Sequence, residues 1–336
     1  MKTAKYFMLF IITLIVAIIC LNIGRYIVSF SQLIQLMSDL FTNQAYDKIV
    51  YNVIVLIRLP RILVSLCVGT ILSIDGVAFQ GIFKNPLASS QILGVSSGAS
   101  FGAAFAIVVF NSVGYITQLY AFAFGMLSVG ITYIISKFVN SKSNYSLLLC
   151  GIVTGTFFSA LLSILTYMAD SRSQLPTLVF WLMGSMNNLD YNDLMLILIP
   201  TILLSIMICS LSWKFNILTI GDNESKNLGI NPYILKGIII SSVILCTSIT
   251  ISICGTIGWV GLLVPHAVRL MVGTDNKKVF PYSIFVGAIF LMIVDTVSRS
   301  ILSVEIPIGI IINVLGAPLF MLCLFLNNKK NNIIVN

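Results

Sequence analysis

Few side chains in this 336-residue sequence are equipped for chemistry, and most of those lie inside or at the ends of apolar runs. Asp75 sits in Leu72-Ser-Ile-Asp-Gly-Val77. A carboxylate there can face a polar pathway, pair with a neighbouring helix or carry a proton. The plainer reading is a buried acid hydrogen-bonded to a nearby Ser or Thr. Asp295 and Arg299 are four residues apart, so they can pair on one helix face; the alternative for Arg299 is to bind something outside. Arg58 and Arg61 flank Pro60 on one face. They read either as snorkelling anchors of a helix end or as a docking point for acidic groups of a partner. The single histidine, His266, follows Pro265 and reads as a structural hydrogen-bonding residue. No Gly-x-x-x-x-Gly-Lys-Ser/Thr occurs, so the chain has no phosphate-cradling loop of its own for ATP. No His-Glu-x-x-His and no cluster with metal-ligand spacing occurs either, and no metal site or bound cofactor is expected. This lack of catalytic equipment points to transport.

The elements that hold these residues are membrane spans. The chain is 58% hydrophobic and 9% charged, with a mean hydropathy of +1.04. A water-soluble domain that poor in charge could not cover its surface. The fold class is all-α, a polytopic bundle of about ten transmembrane helices. The spans are expected near 6–28, 62–82, 92–110, 116–136, 146–168, 194–212, 237–254, 258–273, 280–301 and 308–326. The eighth is short, carries Pro265, and reads as broken or only partly crossing. Residues 1–336 form one transmembrane domain. The segments 31–57 and 175–191 are expected at the outer interface, the first as an interfacial helix and the second around a half-helix at 175–183 carrying Trp181. The seven cysteines all fall in apolar runs and read as small buried hydrophobes.

The formal charge of +8 comes from lysines in short loops, which argues for membrane topology and against nucleic acid. Lys2, Lys5, Lys84, Lys137, Lys142, Lys214, Lys226, Lys236, Lys277, Lys278, Lys329 and Lys330 all fall on one side of a ten-span arrangement. That side is the cytoplasm by the positive-inside rule and holds both termini. Glycines at 94–102 predict close helix packing, and those at 255–261 a reorienting turn.

One polar island, Phe215 to Lys236, interrupts the apolar pattern on that same side. Asp222 or Asn223 can cap a short helix with Glu224 in its first turn. Gly229 can end it in the left-handed conformation. Asn231-Pro232 reads as a cap with proline at the first position of the next helix. A capped helix of about six residues is marginal alone, so it either docks onto something or packs on its own spans.

Six short motifs then fall in one order: Arg58-Leu-Pro-Arg61, Asn85-Pro-Leu-Ala88, Leu93-Gly-Val-Ser-Ser-Gly-Ala99, Leu228-Gly-Ile-Asn231, Gly258-Trp-Val-Gly-Leu-Leu-Val-Pro-His266, and Ile306-Pro-Ile-Gly309 with Gly316-Ala-Pro318. In this order and spacing, from about residue 50 to the C-terminus, they resemble the FecCD family, the cobalamin-permease-like subunits of ABC importers for iron–siderophore, haem and cobalamin complexes. The resemblance implies a dimer with a second copy or a homologous permease in a bacterial cell membrane. It also implies two cytoplasmic ATP-binding subunits and an external substrate-binding protein, with iron present only as chelated cargo. It makes the region 219–232 a coupling helix that sits on the ATPase, through Gly221, Asp222, Asn223, Glu224, Leu228, Gly229 and Asn231. It places Arg58, Arg61 and Arg299 against the binding protein, and a cytoplasmic gate at Ser143-Asn144-Tyr145. Three positions depart from the family pattern. Thr256 stands in place of a proline, Trp259 in place of a phenylalanine, and Asp75 in place of a small neutral residue.

Overall fold

The computed structural model describes residues 2–42, 45–139 and 144–335, except for the side chains of 2, 3, 144, 145, 324 and 327–335. In chain order the helices are α1 (Lys2–Asn22), α2 (Phe30–Thr42), α3 (Lys48–Tyr51), α4 (Leu59–Phe83), α5 (Val95–Val109), α6 (Tyr115–Phe138) and α7 (Asn144–Met168). They continue as α8 (Gln174–Leu182), α9 (Tyr191–Ile220), α10 (Asp222–Asn227), α11 (Pro232–Cys254), α12 (Val260–Val272), α13 (Asn276–Ser300) and α14 (Ile308–Val335). A π-helical stretch, Asn52–Arg58, joins α3 to α4, and a 3-10 turn, Ser90–Leu93, precedes α5. No strand occurs among the described residues. Among the described residues, seven segments are long and apolar enough to cross a membrane, and three shorter apolar helices accompany them, Val95–Val109, Val260–Val272 and Ile308–Cys323. These are the ten expected spans. Some run longer than expected: α4 extends back through the π stretch to Lys48, α14 continues to Val335, and α9 runs on to Ile220, so Phe215–Ile220 is helix and not loop.

The central post is α4. Its span is mostly buried in the bundle, and its polar side chains Arg61, Asp75 and Gln80 find their partners inside it, as buried polar groups must. Lipid gives no hydrophobic drive between helices, so contact depends on close packing by small residues. A Cβ on Gly102 of α5 would stand 2.2 Å from the Tyr120 carbonyl oxygen of α6, and one on Gly98 would stand 2.5 Å from that of Phe124. The 94–102 glycines are therefore packing residues. Gly94-Val95-Ser96-Ser97-Gly98 also has the spacing Gly-x-Ser-x-Gly of a hydrolase nucleophile turn. Here the buried Ser96 Oγ has no hydrogen-bond partner among the described residues.

Two of the short spans are short because the chain dips into the bundle before they start. Ser90 donates its backbone N–H to Asp75, eight residues before the end of α4. At about 1.5 Å per residue, the 84–94 segment thus re-enters by about 12 Å. Likewise Gly261, at the start of α12, packs on the Leu72 carbonyl and the Gly76 amide in the lower half of α4. The turn before it carries Gly255 at φ +69° and Trp259 at φ +63°. Thr256 is anchored there by donating to the Leu182 carbonyl at 2.6 Å. Chain reversal inside the bundle is the structural form of the partly crossing eighth span, and α12 is continuous through Pro265.

The outer segments divide differently from expectation. Residues 31–57 are not one interfacial helix. Amphipathic α2 packs Leu33 and Leu36 against Val28, which precedes it, and against Val50 and Ile54 of the α3–π segment, and the rest belongs to the α4 column. The half-helix at 175–183 is α8. Of the cysteines, Cys20, Cys67, Cys150, Cys246 and Cys254 are buried, Cys323 is half-buried and Cys209 is exposed.

Candidate coupling loop and buried charge cluster

Side-chain contacts sort the helix ends. Lys84 at the end of α4 donates to the Ile220 carbonyl at the end of α9, 3.0 Å away. Asn216 of α9 donates to Asp275 before α13 at 2.7 Å. Tyr6 of α1 packs edge-on against Tyr282 of α13. These contacts make one lysine-rich end. At the other end, Arg61, Asp295, Arg299 and the last turn of α1 meet.

The polar island forms a built corner at the lysine-rich end. α10 follows α9 after the extended Gly221. Its cap differs from the expected one. Gly221 occupies the N-cap without a side-chain bond, and Asp222 lies in the first turn beside Glu224. The Asp222 carboxylate is taken by Lys236 of α11 at 2.6 Å, which ties the short helix to the next span. Ser225, fully buried, donates to the Gly221 carbonyl at 2.7 Å and holds the helix to the end of α9. At the far end, Gly229 has φ +75°. The Gly229 N–H bonds the Lys226 carbonyl and the Ile230 N–H bonds the Ser225 carbonyl, each at 2.9 Å, the paired bonds of a Schellman ending. Asn231 then caps α11, accepting from Tyr233 and Ile234. A helix of six residues is thus fixed at both ends by its own chain. It still leaves Asn223 and Glu224 exposed and Leu228 61% exposed, with Ile220, Tyr233 and Ile234 also uncovered.

The other end holds the three arginines. None points freely outward: Arg58, Arg61 and Arg299 are 4%, 6% and 5% exposed. Arg58 donates to the carbonyls of Leu21 and Asn22 at 2.6 and 3.2 Å and to that of Tyr26. Arg299 donates to the Cys20 carbonyl and to Thr296. Both guanidiniums therefore satisfy the orphan carbonyls at the end of α1. Arg61 bonds Asp295 at 2.8 Å, Glu305 at 2.8 Å and Asn187 at 3.3 Å. The expected Asp295–Arg299 pair exists at 3.7 Å, but the short partner of Asp295 is Arg61 on another helix. The physical reason is that a buried guanidinium needs acceptors wherever the fold provides them. A cleft of about 630 Å³ opens beside this cluster, lined among others by Arg25, Arg61, Asn187, Asn188 and Glu305. The approach of Arg61, Asn187 and Glu305 links residues more than 100 apart, and no local pattern announces it.

Asp75 is 2% exposed. Its carboxylate accepts the Ser90 N–H at 3.1 and 3.3 Å, and no salt bridge to it occurs among the described residues. It fastens the re-entrant turn to α4. His266 Nδ1 lies 3.0 Å from the Leu262 carbonyl and its ring packs on Phe320, a structural role. Of the gate turn, Ser143 and the side chains of Asn144 and Tyr145 lie outside the described residues. Among the described residues no group of three or more His, Cys, Asp or Glu could hold a metal ion.

Known proteins share this fold. The model of the FecCD transport family matches residues 12–326. The molybdate import system permease protein MolB of Haemophilus influenzae is 40% identical over 94% of this chain and 93% of its own. An iron chelatin transport system permease protein of Helicobacter pylori is 37% identical over 81% of this chain and 82% of its own. The solved structure of a metal-chelate type ABC transporter in an inward-facing conformation superposes with a TM-score of 0.86 at 36% identity, covering 96% of this chain and 99% of that one. The chain thus shares its overall fold with that transporter and is a member of the FecCD transport family, a multi-pass membrane permease of the ABC importer type.

Proposed function

We propose that this chain is the membrane subunit of an importer that moves an iron–siderophore complex into the cytoplasm, with ATP hydrolysed on a separate partner. The observation that carries the coupling role is α10. It is held rigidly to α9 by Ser225 and to α11 by Lys236, yet it presents Leu228 and Glu224 to solvent. A rigid, exposed corner joined to two spans can pass a push from a docked ATPase into the bundle, and the chain has no phosphate-binding loop of its own. Gly221, Asp222, Asn223, Glu224, Leu228, Gly229 and Asn231 form that contact. The lysine-rich end, where α1 starts and α14 ends, is the cytoplasmic one.

Outside, a binding protein delivers the cargo at the end where the 630 Å³ cleft opens. Arg61 reaches that cleft, whereas Arg58 and Arg299 act through it by holding α1 in place. The complex contains two permease chains and two ATP-binding subunits, and iron is cargo within its chelate. A second reading, import of a tetrahedral oxyanion, is favoured by the 40% identity to a permease whose name specifies molybdate.

The test is uptake into proteoliposomes with the cognate ATPase and binding protein, supplied in turn with ferric siderophores, cobalamin and molybdate. ATP-dependent uptake of a ferric siderophore is the expected result. Uptake of molybdate alone replaces the iron reading with the oxyanion one. Uptake of any cargo without the ATPase overturns the coupling role of α10.

A further inference from the structure

A second feature of the lysine-rich end is unused by transport. Between α1 and the start of α13 lies a cavity of about 480 Å³ whose lining includes Lys5, Tyr6, Asp275, Lys277, Lys278 and Tyr282. The three lysines are exposed, and none forms a salt bridge among the described residues. Among the described lining residues the one carboxylate is Asp275, whose Oδ1 accepts from Asn216 at 2.7 Å and from the Lys277 amide at 3.1 Å as the cap of α13. Among the described residues, the cavity therefore gathers three lysines, none in a salt bridge, against one carboxylate.

Its position selects the ligand. Only 17% of the apolar window of α1 is buried, so this helix lies at the perimeter of the bundle, with the cavity beside it. Tyr6 and Tyr282 stack edge-on at 5.8 Å on its wall, and Lys277 lies 5.9 Å over the exposed ring of Trp213. Aromatic rings with apolar bodies and polar tips are the residues of the headgroup level. Along α1, Met8 and Ile12 continue the face of Lys5 by steps of three and four and are exposed, an apolar track for an acyl chain. We infer that this cavity is a binding site for the phosphate headgroup of an anionic phospholipid, with its chains lying along α1. Basic pockets between spans on the cytoplasmic side of a membrane recognise such headgroups. A bound lipid would brace α1 against α13, the helix that carries Asp295 and Arg299 at its other end.

The site is independent of the cargo and of the ATPase, so its test needs neither. Native mass spectrometry of the purified chain would be run with phosphatidylglycerol, with phosphatidylcholine and with inorganic phosphate as competitor. The expected result is selective retention of phosphatidylglycerol. The preference should fall on the order of fivefold for each lysine removed in a Lys5→Gln, Lys277→Gln, Lys278→Gln series. It should survive in the three-arginine counterpart and in a Lys137→Gln, Lys214→Gln control. Equal loss in that control reduces the effect to general surface charge and overturns the site. Displacement of the lipid by millimolar inorganic phosphate overturns the lipid assignment in favour of a free-anion site.

Discussion

Arg61 shows how burial changes the meaning of a charged residue. Its spacing with Arg58 permits an outward docking pair, but the fold closes Asp295 and Glu305 around it. Removing one partner of a buried pair strands the other charge, whereas removing both does not. Arg61→Ala is therefore expected to cost about 3–5 kcal/mol, read as a lowered unfolding midpoint in detergent, and Arg61→Ala with Asp295→Ala to cost less than the sum of the two single variants. An additive double variant would show that the pair is not coupled. Asp75 makes a smaller case. Asp75→Asn keeps an acceptor for the Ser90 amide and should leave the same midpoint nearly unchanged. Asp75→Leu orphans a buried N–H and should cost about 1–3 kcal/mol. Equal midpoints for the two variants would remove its role as a clasp. That Asp75 is a buried acid was readable from its apolar run. That its partner is the backbone of Ser90 was not, because the re-entrant turn that brings Ser90 there is a tertiary feature.

At the scale of elements, α10 and its ending were readable almost residue by residue. Gly229 does adopt φ +75° and Asn231 does cap α11, since these are local interactions between neighbours in the chain. The start of the same helix was misread for an instructive reason. Asp222 is a good cap by type, but its carboxylate is taken by Lys236 at 2.6 Å, where an ammonium brings a full opposite charge and a backbone N–H only a dipole. Nothing lies within 4 Å of a Cβ built on Gly229, so a substitution there acts through backbone conformation alone. Gly229→Val should destabilise the corner by about 1–2 kcal/mol and reduce ATP-driven uptake, whereas Gly229→Asn, which tolerates this conformation, should retain most of it. Equal uptake by the two variants would separate the turn from coupling.

For the whole molecule, composition and periodicity determined the membrane class, the ten spans and the sorting of lysines to one end, because each depends on the chain meeting lipid or water locally. The ordered motifs determined the family. Only the tertiary structure decided how far the chain re-enters before α5 and α12, which carbonyls the arginines serve, and that Lys5 and Lys278 border one cavity. Those facts depend on contacts between residues tens to hundreds of positions apart. In a bundle held by close packing and by the satisfaction of buried polar groups, such partners are chosen by the three-dimensional fit of the helices, and short-range sequence pattern carries no record of it.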